Sequence, residues 1–261
     1  RFLSGVPLGP FDYKGRREDD PNDRIRHQNR RELRGLRMIA AWIIHFDTKQ
    51  HTSLDMFVTE GERSYVKHHL IDYASTLGTG AYGPQPMEGR ENSFDIPANF
   101  GRLLALGLHE DSWRKVSRPE GLPEVGYWEV EHFDPLEFKP LVPNSAFANF
   151  TARDGYWAAK IISAFTDEHL EAIVAEAGYS DPEAASYVAR ILGERRDRIA
   201  RQMFDRVPPL DFFRHEAGAI VFRDLGAERG LYSGAAPRYR VRVGVVDGNR
   251  GSAGWSEWME Q

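Results

Sequence analysis

A switch of hydrophobic period between residues 29 and 73 constrains the fold most. Apolar residues recur at steps of three and four along the first part, which predicts an amphipathic helix ending near His45: Leu33, Leu36, Ala40, Ile43 and Ile44. Two short β-prone runs then flank a turn at Gly61, and this pattern predicts a β-hairpin that ends near Asp72. Since a hairpin returns the chain, we expect Asp72 to lie close to the loop that follows the helix.

The remaining pattern predicts an α+β, mostly helical chain in three parts. Residues 1–28 form an extended lead-in, 29–215 the main domain and 216–261 a small β extension. Residues 78–96 are rich in Gly and Pro and are expected to form a long, mobile loop. Further helices are expected at about 97–108, 153–165, 167–177 and 181–204, and strands at 219–222 and 239–246.

Composition excludes several classes of protein. With a net charge of -5, no overall positive field favours nucleic acid. The longest apolar run, 38–44, is far shorter than the ~20 residues that span a bilayer. The absence of cysteine excludes disulfides and thiolate metal sites. Because the chain begins with Arg1 rather than Met, we expect it to be part of a longer protein; its compartment is left open.

The arginines at 24–37 are the one strongly basic segment. Arg30, Arg34 and Arg37 recur at helical spacing, so we interpret them as the solvated face of the first helix.

The segment from His45 to Thr52 holds the residues best suited to chemistry. It carries Asp47 and Lys49, and the hairpin is expected to bring Asp72 beside them. Two carboxylates and a lysine suit phosphoryl transfer: one carboxylate accepts a hydroxyl proton, the other holds a divalent cation, and the lysine neutralises a phosphate oxygen.

This segment resembles the protein-kinase catalytic loop, His-Arg-Asp-Leu-Lys-x-x-Asn, which His45, Asp47 and Lys49 match in place. Ile71-Asp72-Tyr73-Ala74 takes the position of the kinase Asp-Phe-Gly motif, and Ser75 begins a segment similar to an activation loop. The sequence of this region is also similar to that of uncharacterised, often exported bacterial kinase-like proteins, and this resemblance suggests an exported protein.

The resemblance implies a kinase-like C-lobe that transfers the γ-phosphoryl group of ATP to a hydroxyl group. It implies that Asp47 is the catalytic base, Lys49 a phosphate contact and Asp72 a Mg²⁺ ligand. Thr52 stands where kinases have a metal-binding Asn, so the resemblance implies that Thr52 and Asp72 bind the cofactor and the metal. A neutral hydroxyl is a poorer magnesium ligand than an amide, and Tyr73-Ala74 replaces Phe-Gly, so a degenerate pseudokinase is an equal alternative. No glycine-rich loop precedes His45, and we expect a missing N-terminal lobe or a partner protein to supply it.

Two further classes stay open. A non-catalytic scaffold or accessory subunit of a larger assembly would carry an apolar patch around 45–78 that a partner covers. In the kinase interpretation, Asp55 is close enough in sequence to replace Thr52 as a metal ligand. A metal-dependent hydrolase would instead use zinc or manganese on the densest His/Asp cluster of the chain: His45, Asp47, His51, Asp55, His68, His69 and Asp72.

Overall fold

The computed structural model describes residues 2–105, 108, 111–232, 237–246 and 252–260. Its contacts divide the chain into two compact units, Arg1–Pro208 and Pro209–Gln261. About 34% of the chain is helical and its strands pair antiparallel, so the α+β class is confirmed. Across the described ranges, no helix has both the length and the apolarity that crossing a membrane requires.

The first unit contains the five predicted helices and a short one, Ser145–Ala148, that the sequence does not predict. They are α1 (Arg31–Ile43), α2 (Ile96–Leu104), α3 (Ser145–Ala148), α4 (Ala152–Ile162), α5 (Asp167–Ala175) and α6 (Pro182–Phe204). The expected end of α2 falls partly on residues 106–107, outside the described residues. Asp181 caps α6, because its side chain accepts a hydrogen bond from the Glu183 amide at 2.8 Å.

One three-stranded antiparallel sheet accompanies these helices. The predicted hairpin is present as β2 (Ser53–Glu60) and β3 (Arg63–Leu70), with Asp55 opposite His68. The lead-in is not merely extended: β1 (Val6–Gly9) pairs with β2 along its free edge. β3 ends at Leu70, before the expected boundary, so Asp72 lies in the loop that follows.

α1 packs closely against α4. A Cβ atom on Gly35 would lie 2.6 Å from the Trp157 ring, so only glycine permits this approach. Arg34 binds the buried carboxylate of Asp154 through two nitrogens at 2.7 and 2.8 Å. The solvated face expected for Arg30, Arg34 and Arg37 is therefore wrong: all three are half-buried, because their side chains connect α1 to neighbouring segments.

Arg195 on α6 fixes the C-terminal end of α1. Its guanidinium donates to the carbonyls of Trp42 (2.9 Å), Ala41 (2.7 Å) and Glu129 (2.9 Å). The rings of Trp128 and Phe133 lie 4.6 and 3.5 Å from the guanidinium carbon. Burial lowers its pKa, and the carbonyl dipoles and ring faces compensate part of that cost.

The second unit consists of short elements. β4 (Leu210–Glu216) and β5 (Ala219–Asp224) form a hairpin that leads into α7 (Leu225–Glu228). The two-residue strand β6 (Arg240–Val241) pairs with β9 (Met259–Glu260), and β7 (Val245–Val246) pairs with β8 (Ser252–Ala253). Because β4 pairs with β5, the unit begins before residue 216.

Replacing Arg195 tests its role at the end of α1. Arg195→Leu leaves the Trp42 and Glu129 carbonyls without a donor, while the Ala41 carbonyl keeps the Ile44 amide at 3.3 Å. We expect the free energy of unfolding to fall by about 3 kcal/mol. Arg201→Leu, the same change at an exposed position of α6, should stay within ~0.5 kcal/mol of the unmodified chain. Urea denaturation measures both, and equal losses would contradict the role given to Arg195.

Candidate functional site

The candidate loop, residues 45–52, follows α1, whose C-terminal capping residue has an unusual backbone conformation. Ile44 caps α1 in the left-handed conformation (φ 50°, ψ 45°), and the His45 amide donates to the Ala40 carbonyl at 2.8 Å. A buried, β-branched residue is rarely found in this conformation, which costs roughly 1–2 kcal/mol. Backbone strain of this kind concentrates at functional sites, where the surrounding structure maintains it.

Asp47 and Lys49 form an ion pair in the loop. The Nζ atom of Lys49 lies 2.7 Å from Oδ1 of Asp47, and the side chains are 35% and 15% exposed. The loop itself is fixed from outside, since the Phe46 carbonyl accepts from the Leu141 amide at 2.7 Å and Asn144 donates to the Thr48 carbonyl at 3.3 Å. The pair is thus held in one place with its lysine partly open to solvent.

Thr52 closes the loop. Its buried hydroxyl lies 2.7 Å from the Asp47 carbonyl and 2.9 Å from the Lys49 carbonyl, and it accepts from the Lys49 amide at 3.2 Å. With its proton and one lone pair used by the backbone, this buried hydroxyl fits the predicted role of metal or cofactor ligand poorly. Thr52 instead shapes the backbone that presents Asp47 and Lys49.

Asp72 lies near the same loop. The Ile71 amide donates to the Thr52 carbonyl at 3.0 Å, and Asp72 follows with an exposed side chain and a φ of 61°. Its carboxylate lies 3.4 Å from the Ala74 amide. The hairpin therefore returns the chain to the candidate loop, as the sequence predicts.

The charges of Asp47 and Asp72 both act on His45. Its buried ring stacks on Tyr73, with centroids 5.0 Å apart, and its Nδ1 lies 3.4 Å from the Ser75 carbonyl. Burial lowers the pKa of His45, while the Ser75 contact and the charges of Asp47 and Asp72 oppose that shift. Both carboxylates thus lie within electrostatic range of one imidazole ring.

The segment after Asp72 is anchored at its far end. The Leu77 amide donates to the Ile43 carbonyl at 2.8 Å, and the Gly78 carbonyl accepts from the Tyr127 amide at 2.9 Å. A Cβ atom on Gly126 would lie 2.1 Å from the Gly78 carbonyl oxygen, so this backbone contact requires glycine there. The residues that resemble the start of an activation loop are fixed to the last turn of α1.

A cavity of about 570 Å³ opens beside Asp47, and we call it the Asp47 cleft. Its volume is in the range of small-molecule binding sites. Residues 81–93 form one wall, hydrogen-bonded to the opposite segment between Ser93 and Leu141. The lining residues include Phe46, Asp47, Lys49, Ser75, Tyr82, Gln85, Met87, Glu88, Glu91, Asn92, Ser93 and Leu141.

Glu88 is the titratable residue of this cleft that the sequence does not reveal. Burial raises its pKa to about 7, although a backbone hydrogen bond from Gln85 opposes the shift. Its Oε2 atom is buried without a hydrogen-bond partner among the described residues. Phe46 packs near the same position, next to Gly80. Glu88 is buried partly by residues that are distant in the sequence, such as Phe46. The residues next to Glu88 in the sequence therefore do not indicate that its pKa is raised.

The His/Asp cluster considered for a hydrolase does not assemble around one point. The fully buried Asp55 accepts from Arg17 at 2.9 Å and contacts His68 Nδ1 at 2.5 Å. Burial raises the pKa of Asp55, but these two partners together lower it below its usual value. Asp55 is therefore a structural ion-pair residue. In the described ranges, no group of three or more His, Asp or Glu side chains is placed to hold a metal ion.

The sequence matches no protein-family model, no curated protein and no solved structure.

Glu88 should make stability depend on pH. The folded chain binds a proton at Glu88 more tightly than the unfolded chain, so this residue favours folding at low pH and that contribution is lost as the pH rises through about 7. Glu88→Gln removes the charge, and we expect its melting temperature to exceed that of the unmodified chain at pH 8 but not at pH 5.

Glu62→Gln, the same change at an exposed turn position, serves as the control and should give no such difference. A melting-temperature difference for Glu88→Gln that is equal at both pH values would show that Glu88 titrates normally.

Proposed function

We propose that this chain is the catalytic-loop half of a kinase-like phosphotransferase, which transfers the γ-phosphoryl group of ATP to a hydroxyl group. The observation that carries the proposal is the Asp47–Lys49 ion pair in the lining of a ligand-sized cleft, with the charges of Asp47 and Asp72 both acting on His45. The order of helix, His-x-Asp-x-Lys loop, hairpin and Asp-Tyr agrees with the resemblance to the kinase motifs.

Asp47 is the proposed general base. As the acceptor oxygen bonds to the γ-phosphorus, the bond from that phosphorus to the ADP oxygen breaks, and the acceptor proton moves to the Asp47 carboxylate. Lys49 first holds Asp47 in one orientation through the 2.7 Å contact. Once phosphate oxygens enter, the same ammonium contributes its charge to them, because it is partly exposed and can turn towards the cleft.

Asp72 is the proposed ligand of Mg²⁺. Magnesium keeps several waters and is usually bound by one or two carboxylates together with substrate phosphates, so a single exposed carboxylate suits it. When bound, the cation would neutralise charge that develops on the phosphate oxygens. Tyr73 follows Asp72 and takes the position of the kinase Phe, whose packing sets activity. Its ring stacks on His45, which fixes the backbone next to Asp72.

The rest of the nucleotide site is expected to come from an N-terminal lobe or a partner protein. The kinase pattern places a glycine-rich loop and a strand lysine over the phosphates, and residues 2–44 contain neither. The proposal therefore assigns this chain the base, the phosphate contact and one metal ligand, and assigns adenine binding to another segment.

A non-catalytic scaffold is the second candidate, favoured by an apolar groove next to the site. The groove has a volume of about 300 Å³, and its mainly apolar lining comes from the end of α1, from 73–77 and from α5 and α6. Ile173 is 53% exposed at its edge. Within the expected patch of 45–78, Tyr73, Thr76 and Leu77 line this groove. Absence of nucleotide binding would favour this candidate.

Replacing Asp47 tests the catalytic assignment. Asp47→Asn keeps the shape of the side chain but cannot accept the proton, and we expect phosphoryl transfer to slow by ~10²–10⁴. The measurement is ATP turnover with saturating Mg²⁺, on this chain alone and with the N-terminal lobe or partner protein proposed above. Binding of the nucleotide should change much less than turnover.

Asp134→Asn, on a carboxylate outside the Asp47 cleft, is the control and should leave turnover unchanged. Turnover of Asp47→Asn equal to that of the control would remove Asp47 from the mechanism.

A further inference from the structure

We propose that the Asp47 cleft binds an acceptor that carries an ammonium group as well as its hydroxyl group, such as an amino alcohol or an amino sugar, and that Glu88 holds the ammonium. The inference rests on the proposed function, because it names the substrate class for the same cleft. It depends on the charges and the free polar atoms that line this cavity.

The charge that faces the Asp47 cleft is negative. Lys49 is compensated by Asp47, with which it forms an ion pair. Glu91 also lines the cleft, but its charge is compensated by Arg102. Glu88 adds a carboxylate that has no ion-pair partner among the described residues. A cleft with this balance favours a cationic small molecule over an anionic one.

Of these carboxylates, Glu88 is the one that protein groups leave available. Glu91 accepts from Arg102 and from the Trp113 indole nitrogen at 2.9 Å. Glu88 Oε2 has no hydrogen-bond partner in the described part of the chain. Because Oε2 is buried, an ammonium group in the cleft would contact the other carboxylate oxygen of Glu88 and would supply the compensating charge.

The arginines that line a second cavity next to Glu88 already bind other groups of the protein. Glu88 also borders a smaller cavity that Arg90 and Arg195 line. Arg90 pairs with Glu129 at 3.0 Å, and Arg195 donates to main-chain carbonyls. His132 in the same cavity lies 3.7 Å from Glu129. The carboxylate of Glu88 is thus left to a group that enters from the Asp47 cleft.

The remaining lining suits a small polyhydroxylated or aliphatic skeleton. Phe46 and Leu141 provide apolar surface for carbon atoms, while Gln85 and Ser93 provide amide and hydroxyl groups. Because Asp47 and Glu88 line the same cavity, a bound amino alcohol can present its hydroxyl to Asp47 while its ammonium contacts Glu88.

Calorimetry without nucleotide tests the inference directly. The probes are ethanolamine and glucosamine, each compared with its neutral counterpart, ethylene glycol and glucose. We expect the amines to bind more tightly than the neutral compounds, and Glu88→Gln to weaken amine binding by about tenfold or more, the loss of one charge-assisted hydrogen bond. Glu62→Gln should leave amine binding unchanged, and Glu88→Asp should keep part of it. Thermal melting confirms that each variant folds.

Equal binding of amine and neutral probes, no amine binding, or amine binding unchanged in Glu88→Gln would overturn the inference. The experiment separates this failure from failure of the proposed function. Amine binding without any phosphoryl transfer would contradict the phosphotransferase and leave the ammonium site standing. Transfer that is as fast to glucose as to glucosamine, and unchanged in Glu88→Gln, would contradict the ammonium site alone.

Discussion

The contact of the Arg195 guanidinium with the last turn of α1 is the constraint on which the candidate site depends. The final carbonyls of a helix lack partners within the helix, and here Arg195 supplies donors to two of them, on Ala41 and Trp42. The third, on Ile43, accepts from the Leu77 amide. Burial between the Trp128 and Phe133 rings keeps the guanidinium in place, so the helix ends at a defined point in space.

Both ends of the 44–77 segment are therefore attached to one helical turn. Ile44 leaves that turn in a strained left-handed conformation, and Leu77 returns to it. Between these points, Thr52 closes the loop that carries Asp47 and Lys49, and β2 and β3 bring the chain back to Asp72. This anchor thus positions the neighbouring residues Asp47 and Lys49 and, beyond the hairpin, Asp72.

The sequence predicts the features that depend on local pattern. The amphipathic period of Leu33 to Ile44 yields α1, and the β-prone runs around Gly61 yield the hairpin, because each needs only neighbours in sequence. The closeness of Asp72 to the loop follows from that hairpin. Features that depend on distant packing are missed: β1 joins the sheet only because β2 leaves an edge, and Arg34 is buried only because Asp154 lies opposite.

The same distinction applies to the residues of the site. The spacing of Asp47 and Lys49 makes them neighbours, and their ion pair agrees with it. Thr52 looks like a ligand in the sequence, but its hydroxyl is used by backbone groups of its own loop. Asp55 looks available until Arg17 and His68 are seen to bind it. Glu88 gains its raised pKa from burial that no spacing indicates.

Magnesium-dependent binding of ATP tests the central claim most directly. Calorimetric titration of ATP, with Mg²⁺ and with a chelator, should be run on this chain and on its Asp72→Asn variant, alone and with the N-terminal lobe or partner protein that the proposal expects. The account predicts that ATP binds only with Mg²⁺ and that Asp72→Asn weakens or abolishes that binding. No magnesium-dependent binding in either setting, or an unchanged magnesium requirement in Asp72→Asn, would contradict it.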